Sequence, residues 1–153
     1  MGEAMASAGN ADQLPYPPRT TEFTAPFWSA VADGRLTTTR CTRCEFLTFP
    51  PKVLCPQCWS RDVEYVVLSG RGRLATFTEV CVPPAVFRDE APYVIGIVDL
   101  EENVRLLTRI RAPFDELTVG LPVHMVVRHS QPVALYEFAP SPDTENVCEE
   151  KNA

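Results

Sequence analysis

The segment from Cys41 to Asp62, CTRCEFLTFPPKVLCPQCWSRD, holds four of the chain's six cysteines as two C-x-x-C pairs with ten residues between them. A C-x-x-C turn can aim two thiolates at one point, and two such turns supply the tetrahedral sulfur set that zinc prefers. Pro56, inside the second pair, suits the tight turn required. Iron in a rubredoxin-like site takes the same four sulfurs, and spacing does not separate the two metals. A thioredoxin-like redox pair is disfavoured, because that motif belongs at a strand-to-helix turn of a βαβ unit and neither pair has such surroundings. Four thiolates leave no open position for water or substrate. The expected site is therefore one structural zinc held by Cys41, Cys44, Cys55 and Cys58.

Other residues that could do chemistry do not assemble into a motif. Cys81 reads as a small buried apolar residue, and Cys148 falls in an acidic tail. The two histidines, His124 and His129, bracket the alternation Val123, Met125, Val127 and are expected to face solvent. SGRGR at Ser69–Arg73 lacks the Lys-Ser/Thr of a phosphate-binding loop, and its glycines are expected to bend the chain between two modules. Asp89, Glu90, Asp99, Glu101 and Glu102 lie in turn-like contexts, where solvated charge is the ordinary outcome. No activated nucleophile or acid/base pair stands out.

The chain has 153 residues, enough for one ordinary domain or two very small ones. Residues 1–20 are rich in Ala, Gly and Pro and read as a disordered arm, while residues 140–153 read as an acidic disordered tail. Between them, residues 21–40 predict a short amphipathic helix and a lead-in strand. Thr24 is placed to cap the helix, Pro26 suits its first turn and Gly34 can end it. Its apolar stripe, Phe23, Phe27, Trp28 and Val31, must pack either on the same chain or on a second protein. Residues 41–68 form the ribbon. Residues 69–139 contain five runs rich in β-branched and aromatic residues: RLATFTEVCV, PYVIGIVDL, NVRLLTRI, PVHMVVRH and VALYEFA. Five short strands with a helical turn in APFDELTVGLP suit a five-stranded Greek-key barrel of the oligonucleotide/oligosaccharide-binding (OB) type. The fold class is mainly β: an N-terminal helix, a rubredoxin-like zinc ribbon and a C-terminal OB-fold barrel.

Two parts of the barrel attract a binding reading. The loop VPPAVFRDEAPY joins the first two strands and combines stiff prolines with Phe87, Arg88 and Tyr93; the corresponding loop of OB barrels commonly faces ligand. The third run places Arg105, Arg109 and Arg111 on one face, which is either a solvated edge or an anion site for a phosphate-bearing ligand or a partner's carboxylates. PYVIGIVDL is apolar on both faces, so something should cover its outer one. Net charge is −6, which disfavours a purely electrostatic grip on nucleic acid or an anionic membrane. With no long apolar run and no signal-peptide pattern, a cytoplasmic protein is expected.

The order of these parts resembles the DUF35 family of acyl-CoA-associated proteins. The resemblance runs from about Phe23 to Ala139 and is carried by FW and DGRL in the helix, C-x-x-C…FPP…C-P-x-C, SGRGRLATFTEV, APYVIGIVDLEENVRLLTRI and VGLPVHMVV. It implies a non-catalytic accessory subunit in a hetero-oligomer with a thiolase-like catalytic subunit, the barrel completing a site for an acyl-CoA ester at the interface. A hotdog-fold hydratase partner, a free-standing acyl-CoA-binding scaffold and a nucleic-acid-binding ribbon/barrel protein are the alternatives. The family pattern supplies the four cysteines as metal ligands and no catalytic residue.

Overall fold

The computed structural model describes residue 14 and residues 16–142. Cys148 and most of the stretches read as arm and tail lie outside the described residues. Helix α1 (Ala25–Ala32) carries Pro26 in its first turn. Thr24 takes the capping position without a side-chain cap, contrary to expectation. Its hydroxyl instead accepts from the Thr21 N–H at 2.8 Å, and the Thr21 hydroxyl accepts from the Thr24 N–H at 3.2 Å. The helix ends as Gly34 permits: this residue has φ +77°, its N–H donates to the Val31 carbonyl and the Arg35 N–H to the Ala30 carbonyl. That pair of bonds is a Schellman motif, which satisfies carbonyls the helix leaves open.

Strands β1 (Leu36–Cys41), β2 (Leu47–Thr48) and β3 (Val63–Leu68) form an antiparallel sheet in the order β2-β1-β3. β1 is buried along nearly its whole length. Thr39 and Thr48 share a 2.9 Å hydroxyl–hydroxyl bond across β1 and β2, and the Lys52 N–H donates to the Thr39 hydroxyl at 2.9 Å. A two-residue link, Ser69–Gly70, then carries the chain into the barrel. Gly70 sits at φ +69°, so the expected bend falls at a position L side chains resist.

The barrel is closed by β4 (Arg71–Val80), β5 (Tyr93–Leu100), β6 (Arg105–Ile110), β8 (Leu135–Pro140) and β7 (Pro122–Arg128), in that spatial order. The five expected strands are all present, and a short 3-10 turn at Phe114–Glu116 lies between the third and fourth. β5 alternates strictly, with Val94, Gly96, Val98 and Leu100 inward. Its outer residues Tyr93, Ile95 and Ile97 are half-buried, while Leu107 beside them on β6 stays exposed. Closure is uneven: β7 and β8 pair over six positions, whereas β6 and β8 meet in parallel only at Ile110 and Phe138.

One apolar cluster runs through helix, ribbon sheet and barrel, from Phe27 and Val31 through Leu36 and Leu68 to Leu74, Val98 and Phe138. The joint is aromatic. Phe27 of α1, Phe49 of the ribbon and Tyr136 of β8 meet edge to face with centroids 5.7–6.0 Å apart, the favoured geometry for ring pairs. The Tyr65 hydroxyl also donates to the Phe23 carbonyl at 2.7 Å. The helix stripe thus packs on its own chain, with Trp28 its half-buried edge.

Candidate metal centre and the charged seam of the barrel

Two copies of one backbone turn build the metal centre. In the first, the Glu45 N–H donates to the Cys41 carbonyl at 2.9 Å and the Cys41 N–H to the Phe46 carbonyl at 3.0 Å. In the second, the Trp59 N–H donates to the Cys55 carbonyl and the Cys55 N–H to the Ser60 carbonyl, both at 2.9 Å. The residue after each pair adopts the left-handed conformation, Glu45 at φ +61° and Trp59 at φ +60°. A non-glycine residue there costs about 1–2 kcal/mol. The two turns are tied together by the Thr42 N–H and hydroxyl, which donate to the Asp62 carbonyl at 2.9 and 3.0 Å.

All four sulfurs lie within 4.8 Å of one another. Cys41 and Cys58 are 3.6 Å apart and Cys44 and Cys55 3.5 Å, close to the ~3.8 Å edge of a tetrahedron with zinc–sulfur bonds of about 2.3 Å. Burial raises the Cys41 thiol, yet the N–H groups of Cys44 and Arg43 outweigh it and bring it down to about 7. The N–H of Phe46 lowers Cys44, but burial and the neighbouring sulfurs push it up to about 12. The first thiolate forms readily and a second beside it does not; a divalent cation at the centre removes that conflict. The donor set therefore fits a tetrathiolate metal ion with no open coordination position.

The second feature lies where β6 and β8 barely meet. Glu90, at the end of a 3-10 turn over Ala85–Glu90, pairs with Arg109 and, at 3.0 Å, with Arg128. Arg128 also reaches Glu137 at 3.6 Å, and Glu137 receives Arg111 through two bonds of 2.9 and 3.0 Å. Glu137 is buried, 6% exposed, and these guanidinium groups supply the pairing that a buried carboxylate needs. Burial alone would raise the Glu90 carboxyl; Arg109 and Arg128 hold it below the usual carboxylate range. Arg109 also lies 4.0 Å above the Tyr93 ring, a cation–π contact. This chain of charges separates two concavities. A groove of about 410 Å³ is walled by Trp28, Phe87, Leu107 and Tyr136, and a broader hollow of about 710 Å³ by Glu79, Arg111 and Phe114. Tyr93, Arg109, Arg128 and Glu137 line both.

The structure brings Phe87, Tyr93 and Arg109 into one groove and Arg111 into the adjoining hollow. Arg88 is exposed and lines neither, and Arg105 lies apart, held by Asp99 at 2.6 and 2.8 Å. The arginine face is not a bare anion site, since each of its cations has a carboxylate of the same chain; Arg105 and Arg111 remain exposed, while Arg109 is half-buried. Glu90, Arg128 and Glu137 were not among the candidate residues, although a single acid inside the apolar run VALYEFA was a usable signal. Several expectations need correction. Cys81 is exposed, not buried; its thiol donates to Glu79 at 3.4 Å, and that carboxylate, with some burial, pushes it up. His124 is half-buried, with Nδ1 lacking a partner. Of the acids read as solvated, Glu90 is partly withdrawn from solvent between two arginines, whereas Asp99 and Glu101 are ion-paired but stay about half exposed.

A four-cysteine ribbon joined to a closed five-stranded OB barrel defines a two-module class of β protein, and sequence comparison narrows it. Residues 28–64 match the ChsH2 rubredoxin-like zinc ribbon domain and residues 65–128 the ChsH2 C-terminal OB-fold domain. The chain is 36% identical over 95 residues to a DUF35 domain-containing scaffold protein of Methanothermobacter thermautotrophicus, covering 61% of this chain and 71% of that one. It is 38% identical over 114 residues to the benzoylsuccinyl-CoA thiolase subunit BbsA of Thauera aromatica, covering 67% and 78%. A solved structure described as an Ltp2-ChsH2(DUF35) aldolase superposes with TM-score 0.71 at 31% identity, over 81% of this chain and 98% of that one. The chain belongs to the DUF35 family of zinc-ribbon plus OB-fold proteins. Among the described residues, no helix is long and apolar enough to cross a membrane.

Proposed function

We propose that this chain is the non-catalytic accessory subunit of a hetero-oligomeric enzyme acting on CoA esters, standing beside a thiolase-type catalytic subunit. One zinc ion held by Cys41, Cys44, Cys55 and Cys58 fixes the ribbon, and the groove at the barrel seam meets the CoA ester at the subunit boundary. The observation that carries this reading is the character of the groove. It has apolar walls, and the charged groups on its floor, Glu90, Arg109, Arg128 and Glu137, are paired with one another or with Arg111, so none of these carboxylates stands free as a nucleophile or general base. Such a surface can hold and orient a ligand and exclude water while another subunit does the chemistry. The 38% identity to a thiolase subunit supplies the partner class. Phe87 and Trp28 would contact the pantetheine or acyl part, with Tyr93 and Arg109 fixing the loop that carries Phe87.

The nucleic-acid alternative loses support from the same observation. Internal carboxylates neutralise the arginine face, which removes the cationic groove that a phosphate backbone needs. Affinity purification of the tagged chain from its native host, with native mass spectrometry of the eluate, tests the proposal. A stoichiometric complex with a thiolase-type subunit is expected. A chain that elutes alone, or with RNA, would reject it.

A further inference from the structure

The ribbon carries a feature that metal binding does not explain. Trp59 is 73% exposed although it occupies a left-handed position that glycine would fill without strain. The equivalent residue of the first turn is the hydrophilic Glu45. Around Trp59 lies a concavity of about 480 Å³, walled by Phe23, Val53, Leu54 and Pro56, with Val53 57% exposed. Lys52 and Pro56 also border a second, smaller hollow that contains Phe46, so the apolar surface continues around the 51–56 loop. Exposed apolar surface of this kind marks interaction sites.

Charge indicates what covers it. The arginines of the barrel strands are bonded within the chain, Arg71, Arg105, Arg109, Arg111 and Arg128 to carboxylates and Arg73 to a carbonyl. In the ribbon, the side chains of Arg43, Lys52 and Arg61 have no such partner among the described residues. Of these, Lys52 lines the concavity beside the exposed aromatic, an unpaired cation within a chain whose net charge is −6. The concavity has room for one or two side chains, and Lys52 stands on its wall.

The geometry points to the ribbon face of Trp59, Val53 and Lys52 as the docking surface for the catalytic subunit, which inserts an apolar projection bordered by a carboxylate. This inference rests on the proposed partnership and names the surface that makes it. Aromatic and cationic anchors are the side chains that dominate such interfaces, and a tolerated backbone strain at Trp59 follows if the side chain is needed outside the fold.

The test uses the full zinc-loaded chain and the thiolase-type subunit, mixed in sedimentation velocity at low and high salt. Trp59→Gly removes the side chain and relieves the strain, so its thermal midpoint should equal or exceed wild type while association weakens at least tenfold. Lys52→Glu should weaken association at low salt and lose that effect at high salt. Wild-type affinity in both variants would overturn the docking surface and leave the partnership standing. A wild-type chain that does not associate at all would overturn both. Dimerisation of the chain alone that Trp59→Gly abolishes would assign the surface to a second copy, and a lowered thermal midpoint in Trp59→Gly would make the tryptophan a structural residue.

Discussion

Between residues 41 and 62 the buried side chains are Cys41, Thr48, Cys55 and Ser60, and no aliphatic residue is among them. In the barrel, by contrast, Leu74, Val98, Val123 and Phe138 are completely shut from solvent. Each buried apolar side chain of the barrel contributes about 1.5–3 kcal/mol by leaving water, and neighbouring strands make these contributions cooperative. The ribbon has hydroxyl–backbone bonds and four sulfurs, and a tetrathiolate zinc contributes about 10–16 kcal/mol of apparent folding energy to a segment of this size. With zinc bound as proposed, one chain would hold a region stabilised by many replaceable contacts and a region dependent on a single ion. A loop held by a metal ion would need no buried apolar face, and here Trp59 and Val53 stay outside.

Removing the metal separates the two regions most sharply. Cys55→Ser, or chelation, should abolish the ordered ribbon while the barrel's slowly exchanging amides persist, as read by hydrogen exchange. Uniform loss of protection would mean that the barrel, too, depends on the ion. Next in size is Phe138→Ala at the centre of the barrel, which should cost about 3–5 kcal/mol in denaturant unfolding without altering metal content. Glu137→Ala leaves Arg111 and Arg128 without their buried carboxylate; because Arg111 is half exposed, about 1–3 kcal/mol is expected, below the loss for a fully buried pair.

A smaller effect comes from acid. Glu90 and Asp99 are held below the usual carboxylate range by their arginines, although burial opposes this in both, most at Glu90. A depressed folded value stabilises the protein above the ordinary carboxylate range and is lost as pH falls through it. The thermal midpoint of the barrel should thus hold at neutral pH and decline below about pH 4, and Glu90→Gln should flatten that decline.

The modular order was legible because its signals are local. The C-x-x-C spacing fixes four ligands within one short segment, and alternation in NVRLLTRI sets its arginines opposite Val104, Leu106 and Ile110, whereas PYVIGIVDL, apolar on both faces, leaves its inward set open until the barrel closes. The seam was legible only in part, because it depends on which strands meet across the closure. Arg109 and Arg111 could be placed on one face from their spacing, but Glu90, Arg128 and Glu137 come from a turn and two other strands. Their convergence follows from the single β6–β8 contact, which no local pattern encodes. Cys81 was misplaced for a related reason, since β4 ends at Val80 and the thiol falls just beyond the strand, outside the barrel.

Turnover tests the central claim most directly. The purified, zinc-loaded chain should show no thiolysis of a β-ketoacyl-CoA ester by itself. Adding the thiolase-type subunit should give activity, and Phe87→Ala in that complex should raise the apparent KM several-fold with little change in kcat, as loss of a ground-state contact requires. Measurable turnover by the single chain, or full activity of the catalytic subunit without it, would contradict the account.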